Sequence, residues 1–245
     1  MSDIHSAAVI LPVFNERDAI EAVVDSVAEY AVHFPHYYFL FIDDGSYDGT
    51  SDILAQVINR HHLKNIAFFR CSQNRGKGHA VRVGFEMVEA DMLCFMDGDL
   101  AYSLDHLALL AEALQDSPVV IGSRKFQDAS IKRPSLRRYI LGETYNWLVR
   151  RMLHLPFQDT QAGLKGFRLQ AARHIFSKSS IDGFGFDTEI LYIAQKCGFS
   201  IREIHATVSK LHSYKKGKLK LIRDSVIMFY NLLLIRWKDF RKYYD

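Results

Sequence analysis

The feature that most constrains this chain is an alternation in its first 125 residues. Short β-branched or aromatic runs at 7–13, 38–42, 66–69, 92–96 and 119–122 are separated by segments of helical period at 19–31, 51–59, 79–88 and 104–114. Near-continuous apolar runs suit strands buried on both faces, and a helix between successive strands is what a parallel connection requires. The expected fold is therefore α/β: a mostly parallel, Rossmann-like central sheet with helices on both faces. Asp48-Gly49-Thr50 and Ser103 stand where the second and fourth helices should begin.

The second half is less regular. Residues 126–138 are polar and basic, with Lys132, Arg133, Arg137 and Arg138, and read as a mobile loop. A helix over 136–152, a break at Pro156, a segment from Asp159 to Arg168, a helix over 186–196, a strand over 200–208 and a final helix over 219–242 follow. No repeat or linker divides the 245 residues, and 49% hydrophobic with 24% charged residues excludes a disordered or fibrous chain. We expect one large domain over 1–210 and a basic amphipathic extension over 211–245. Cys71, Cys94 and Cys197 are too scattered for a disulfide framework or a zinc spacing and suit a reducing compartment. The first residues show no secretory pattern, and no apolar run reaches the roughly 18 residues of a membrane span.

Ligands of open α/β sheets bind outside the carboxyl ends of the strands, and the chemistry-bearing residues cluster there. Asn15-Glu16, Asp43-Asp44-Gly45-Ser46, Asp97-Gly98-Asp99 and Gly122-Ser123-Arg124 follow four different strands. In an extended backbone Asp97 and Asp99 point to the same side, and two hard oxygen ligands suit Mg²⁺ or Mn²⁺ on a substrate phosphate. Asp43 or Asp44 suits a nucleobase N–H or ribose hydroxyls. Arg75-Gly76-Lys77-Gly78 opens a helix and suits an anion. Neither a P-loop nor a Gly-x-Gly-x-x-Gly fingerprint is present, which removes kinase and dehydrogenase readings.

Five motifs in order, Pro12-Val13-Phe14-Asn15-Glu16, Asp43-Asp44-Gly45-Ser46-x-Asp48-Gly49-Thr50, Asn74-x-Gly76-Lys77-Gly78, Asp97-x-Asp99 and Gly122-Ser123-Arg124, resemble the family 2 glycosyltransferases of GT-A fold. Asp159-Thr160-Gln161-x-Gly163-x-Lys165, Phe186-Asp187-x-Glu189 and Lys216-Gly217-Lys218-Leu219 are similar to the polyprenyl-phosphate branch, in its dolichyl-phosphate β-glucosyltransferase form. That resemblance implies a UDP-glucose donor, a polyprenyl phosphate acceptor, inversion at the anomeric carbon, and a place on the cytosolic face of a membrane. It puts Pro12, Asn15, Glu16, Asp43, Asp44, Ser46, Lys77 and Asp97 on the donor, with Asp97 and Asp99 on the divalent metal. A lipid phosphate is already an anion and attacks without a base. Arg124, Arg133, Arg137 and Arg138 suit its phosphate, with Asp159, Gln161 and Lys165 nearby. For a hydroxyl acceptor a base is needed, and Asp187 is the first candidate and Asp159 the second; both alternatively pair with Lys165 or Arg168. GDP-mannose as donor and an inactive nucleotide-sugar-binding module stay open.

Residues 210–245 carry ten Lys/Arg against three Asp, a net +7 that leaves −4 for the rest. Ile222, Val226, Phe229, Leu233, Trp237 and Phe240 follow helical spacing, so this helix suits either an anionic membrane surface or packing on the sheet. A basic tail on an acidic body, with no reader motif, argues against nucleic acid as a partner.

Overall fold

The computed structural model describes residues 6–124, 136–207 and 221–245, with the backbone alone at 136–139 and 221–225. The elements run β1 Ala7–Val13, α1 Ile20–His33, β2 Tyr37–Asp43, α2 Thr50–His61, β3 Ile66–Arg70, α3 Lys77–Met87, β4 Met92–Met96, α4 His106–Ala113 and β5 Val119–Ser123. They continue α5 Leu136–Leu153, β6 Leu164–Arg168, α6 Leu169–Lys178, α7 Phe186–Lys196, β7 Ile201–His205 and α8 Leu221–Phe240. One seven-stranded sheet has the order β3-β2-β1-β4-β6-β5-β7. β6 pairs antiparallel to both β4 and β5, while the other pairings are parallel.

Alternation along the strands sorts the core into two layers. Ala8 and Ile10 of β1 face the cluster holding Ala80, Val81 and Phe85 of α3 and Phe186 and Ile190 of α7. Ala7, Val9 and Leu11 face the cluster holding Val23 and Val27 of α1, Leu54 of α2 and Leu107 of α4. Successive side chains of a strand point to opposite faces, so apolar residues at every position demand helices on both. The first five strands and four helices lie within a few residues of their expected positions.

The segment from Asp159 to Arg168 behaves otherwise. Its last five residues are β6, inserted antiparallel between β4 and β5, and α6 follows immediately, a helix not expected from the sequence. An antiparallel strand in this position starts at the carboxyl ends of its neighbours, so residues 159–163 lie beside the ends of β4 and β5. The expected loop at 126–138 lies outside the described residues up to 135, and its last three residues open α5.

α8 packs on α5, and its Leu232 and Ile235, with Tyr244 beyond it, are fully buried in the same core layer as α7. The expected boundary at 210/211 lies outside the described residues. Glu189, with no exposed surface, ties this end down: its carboxylate accepts bonds from Ser180 N (2.8 Å), Ile181 N (2.7 Å), Ser180 Oγ (2.9 Å) and Tyr244 OH (2.8 Å). Lys238 Nζ stands 3.5 Å away. A Glu189→Ala variant leaves these donors without their acceptor and is expected to cost about 3 kcal/mol, read as a lower urea midpoint at unchanged m.

Candidate active site

The parallel registers Val13↔Asp43 and Ile10↔Phe95 bring the carboxyl ends of β1, β2 and β4 to one edge. The loops that leave this edge are fastened to one another. Asn15, in the left-handed region at φ 52°, donates its N–H to Ser46 Oγ (2.8 Å) and accepts Tyr47 N–H on Oδ1 (3.1 Å). Glu16 N–H donates to Thr50 Oγ1 (2.9 Å). Phe14 and Tyr47 meet edge to face at 5.9 Å, with Tyr47 exposed at the rim.

Both acids of the Asp43-Asp44 pair are turned inward. Asp43 is fully buried and accepts Ser46 N–H (2.9 Å) and the Ser51 hydroxyl, which fixes the turn into α2. Asp44 accepts Asn74 Nδ2 (2.8 Å), Arg75 N–H (3.1 Å) and Gly76 N–H (2.6 Å). Burial moves its carboxyl above the ordinary range, against these bonds and the His79 ring. The two loops meet at Gly45, at φ +74°, where a Cβ would fall within 2.9 Å of the Gln73 and Asn74 backbone.

The charged centre lies at the end of β4. Lys77 Nζ, from the first turn of α3, is 2.9 Å from Asp97 Oδ1 and 3.5 Å from Asp187 Oδ2. Lys165 Nζ, from β6, donates to Asp187 Oδ1 (2.5 Å) and to Ala162 O (2.7 Å). Both ammonium groups stand over the Phe95 ring, at 5.1 and 5.5 Å from its centre. Burial acts to raise Asp97, but Lys77, Arg124 and Lys165 outweigh it and hold the carboxyl below its ordinary range. Burial likewise opposes the charge on Lys77, which Asp187 and Asp97 nonetheless hold above the usual lysine range. Lys165 is drawn below that range by burial, with neighbouring Lys77 adding to it.

β4 ends at Met96, so Asp97 and Asp99 lie on a turn closed by Leu100 N–H to Asp97 O (3.0 Å), not on the extended backbone expected from spacing. Asp97 N–H donates to Gly163 O (2.8 Å), and the Asp97 carboxylate fills the space that a Cβ at residue 163 would take. Asp99 Oδ1 accepts Ala101 N–H (3.1 Å).

Arg124 binds Asp159 through Nε (2.6 Å), Nη2 (2.8 Å) and its own N–H (3.2 Å). Gln161 donates Nε2–H to Thr188 Oγ1 (3.0 Å), which also meets Tyr145 OH (2.8 Å). Of the expected acceptor contacts, Arg133 lies outside the described residues, and for Arg137 and Arg138 only the backbone in the first turn of α5 is described. Lys165 is wholly buried, with its ammonium on Asp187 and the Ala162 carbonyl. Of the pairings weighed for Asp187 and Asp159, the one between Asp187 and Lys165 is present, Asp159 pairs with Arg124, and Arg168 binds the Leu114 and Gln115 carbonyls instead.

Phe95, Tyr102 and Thr188 carry no signal in the sequence that marks them as part of this centre. Phe95 looks like any apolar strand residue. Tyr102 is buried beside Arg124 and Asp159, and burial pushes its phenol well up.

These features define an α/β fold of GT-A type, with an acidic and cationic centre at the carboxyl edge. Glucosyl-3-phosphoglycerate synthase from Mycobacterium tuberculosis superposes at a TM-score of 0.69 and 18% identity, over 94% of this chain and 80% of that one. The same enzyme with Mn²⁺, UDP-glucose and phosphoglyceric acid gives 0.66 at 16% identity, over 94% and 79%. These likenesses show the fold. Residues 8–176 match glycosyl transferase family 2, and the chain belongs to that family. It is similar to the dolichyl-phosphate β-glucosyltransferases of Dictyostelium discoideum (29% identity, 94% of this chain, 76% of that protein) and Saccharomyces cerevisiae (29%, 94% and 73%). The protein is a glycosyltransferase.

Asp159 yields a pH prediction. Burial acts to raise its carboxyl, but Arg124 holds it below the ordinary range. A depressed carboxyl contributes stability that is present above its unfolded value, about 3.9, and is lost as pH falls through the folded value. Asp159→Asn is expected to lower the urea midpoint at pH 7, with the gap to wild type closing below about pH 4.

Proposed function

We propose that this glycosyltransferase moves glucose from UDP-glucose to a polyprenyl phosphate of the dolichyl type, with inversion at C1 and a divalent metal on the donor diphosphate. The observation that carries the reading is the gathering of Lys77, Arg124 and Lys165 around the Asp97 carboxylate, which stays ionised at the strand edge. The names of the similar enzymes add the glucosyl donor and the lipid acceptor.

Asp97 and Asp99 offer hard carboxylate oxygens that fit Mg²⁺ or Mn²⁺, and in this reading they hold it. When bound, the metal offsets the charge that develops on the leaving nucleoside diphosphate. Lys77, held at Asp97 and Asp187, adds its charge to the same phosphates. The Pro12–Glu16 loop, with Asn15 and Glu16 fastened to Ser46 and Thr50, walls the nucleoside. Asp44 and the N–H groups it orders at Arg75 and Gly76 form the pocket floor. Asp43, being fully buried, acts by fixing the turn rather than by touching the ribose.

The attacking group is an oxygen of the lipid phosphate. Its lone pair forms the new bond to C1 as the C1–oxygen bond to UDP breaks, and no proton has to leave. This agrees with the carboxylates of Asp187 and Asp159 being committed to Lys165, Lys77 and Arg124. With one oxygen on Lys165 and the other toward Lys77, Asp187 has no oxygen set aside for a hydroxyl proton. Arg124 meets the acceptor phosphate through the guanidinium edge that Asp159 does not take, with Arg133, Arg137 and Arg138 following it in the chain.

The acceptor places the enzyme on a membrane surface. No helix among the described residues is long and apolar enough to cross a bilayer. Along α8, however, Val226, Phe229, Leu233, Trp237 and Phe240 are 63, 43, 46, 58 and 83% exposed, forming an apolar ridge opposite the packed side. Trp147 and Ile140 of α5 are also exposed. We assign this face, with the basic residues of 210–242 other than the inward-turned Lys238, to an anionic bilayer.

Two measurements test the reading. Crossing UDP-glucose and GDP-mannose with a short polyprenyl phosphate in Mn²⁺ or Mg²⁺ should give lipid product from UDP-glucose alone. Asp99→Ala should reduce that product by 100-fold or more. Product from GDP-mannose overturns the donor, and hydrolysis without lipid product overturns the acceptor. Separately, Phe229→Glu combined with Trp237→Glu should lower cosedimentation with anionic vesicles at least tenfold while the circular dichroism spectrum is unchanged. Surface variants are required because deleting α8 would also remove Leu232 and Ile235 from the core.

A further inference from the structure

The ends of β2 and β3 and the first turn of α3 bring together three side chains of different chemistry. A carboxylate oxygen of Asp44, Sγ of Cys71 and a ring nitrogen of His79 all lie within 4.8 Å of one another. Asp44 and Cys71 are 3 and 6% exposed, and the His79 side chain is 17% exposed. His79 Nδ1 is buried with no hydrogen-bond partner and stands 3.6 Å from Asp44 Oδ1, beyond hydrogen-bonding reach. A buried ring nitrogen left in this way is costly and calls for an explanation.

We propose that Asp44, Cys71 and His79 form a binding site for a thiophilic divalent transition ion of the Zn²⁺ class, separate from the hard Asp97 and Asp99 carboxylates. Zn–S, Zn–N and Zn–O bonds of about 2.3, 2.0 and 2.1 Å in a tetrahedron set ligand-to-ligand edges of about 3.3–3.7 Å. The Asp44–His79 edge, at 3.6 Å, already falls in that range, and the thiol, within 4.8 Å of both, closes the set with a shift of at most about 1.3 Å. Asp44 has the capacity: Oδ2 takes Asn74 Nδ2 and Gly76 N–H, Arg75 N–H is shared between the two oxygens, and Oδ1 faces His79. Burial, with Arg75 nearby, lowers the His79 ring below its ordinary value and so favours the neutral form that coordinates. Burial also raises the Cys71 thiol, with Asp44 and Asp43 adding to it, so coordination releases a proton. A mixed sulfur, nitrogen and oxygen set selects softer ions than two carboxylates do.

One consequence rests on the proposed function. Asp44 floors the nucleoside pocket in that reading, so an ion on this trio obstructs the donor.

The test uses the full reduced chain in excess Mg²⁺, titrated with Zn²⁺ by calorimetry and with Co²⁺ by absorption. One equivalent of Zn²⁺ should bind, and Co²⁺ should show a thiolate charge-transfer band in the near ultraviolet. Cys71→Ser should abolish the band, and His79→Ala should weaken Zn²⁺ binding at least tenfold. Cys197→Ser and the Asp97→Asn, Asp99→Asn pair should leave both signals intact. Thermal melting checks each variant, and the partly exposed His79 provides the test if Cys71→Ser fails to fold. Absence of Zn²⁺ binding, absence of the band, or binding unchanged in His79→Ala overturns the site. UDP affinity in Mg²⁺ should fall at least fivefold on adding Zn²⁺ to wild type but not to His79→Ala. If Zn²⁺ binds the trio and UDP affinity is unmoved, the metal site stands and the nucleoside role of Asp44 falls.

Discussion

Asp187, buried at the first turn of α7, holds two ammonium groups, and the candidate site depends on that arrangement. Two lysines stacked over one aromatic ring would repel each other in a low-dielectric interior; a carboxylate between them makes the arrangement tenable. Lys165 is the inner member, sealed from solvent. Lys77 is the outer member and reaches Asp97, so its position at the sheet edge is set by a chain of charges running back into the core. The cost of burying these groups is recovered through direct contacts and the electron-rich face of Phe95.

The antiparallel β6 makes that chain possible. Entering the sheet from the carboxyl edge, it delivers Gly163 against Asp97 and, two residues later, Lys165 beneath it. A parallel strand would carry the same motif to the opposite edge. The 159–163 loop that precedes β6 meets Arg124 at the end of β5, which places the guanidinium beside the same centre. α7 extends the connection outward: two residues beyond Asp187, Glu189 binds the 180–181 backbone and Tyr244. One short helix therefore anchors both the charged centre and the chain that carries the exposed apolar ridge of α8.

Much of the fold was legible because its signals are local. Apolar runs too continuous for a half-exposed strand, and helical periods between them, placed five strands and four helices within a few residues. Motifs at strand ends fall together at the carboxyl edge because parallel register aligns those ends. Less legible were β6 and α6: Leu164-Lys165-Gly166-Phe167-Arg168 has no alternation that announces a strand, and strand direction depends on partners far along the chain. Phe95 was invisible for a similar reason, since its use as a platform for cations follows from what packs above it.

The sequence by itself determined the α/β class, the family motifs and the residue types available for binding an anion and a hard cation. All of these depend on short-range order along the chain. Only the tertiary structure decided which charges neutralise one another: Asp187 with two lysines, Asp159 with Arg124, and Asp43 turned inward to Ser46. It also decided that Asp44, Cys71 and His79, whose spacing shows no metal motif, lie together. Pairing energies depend on distance and burial, and both are set by register and packing between elements remote in the sequence.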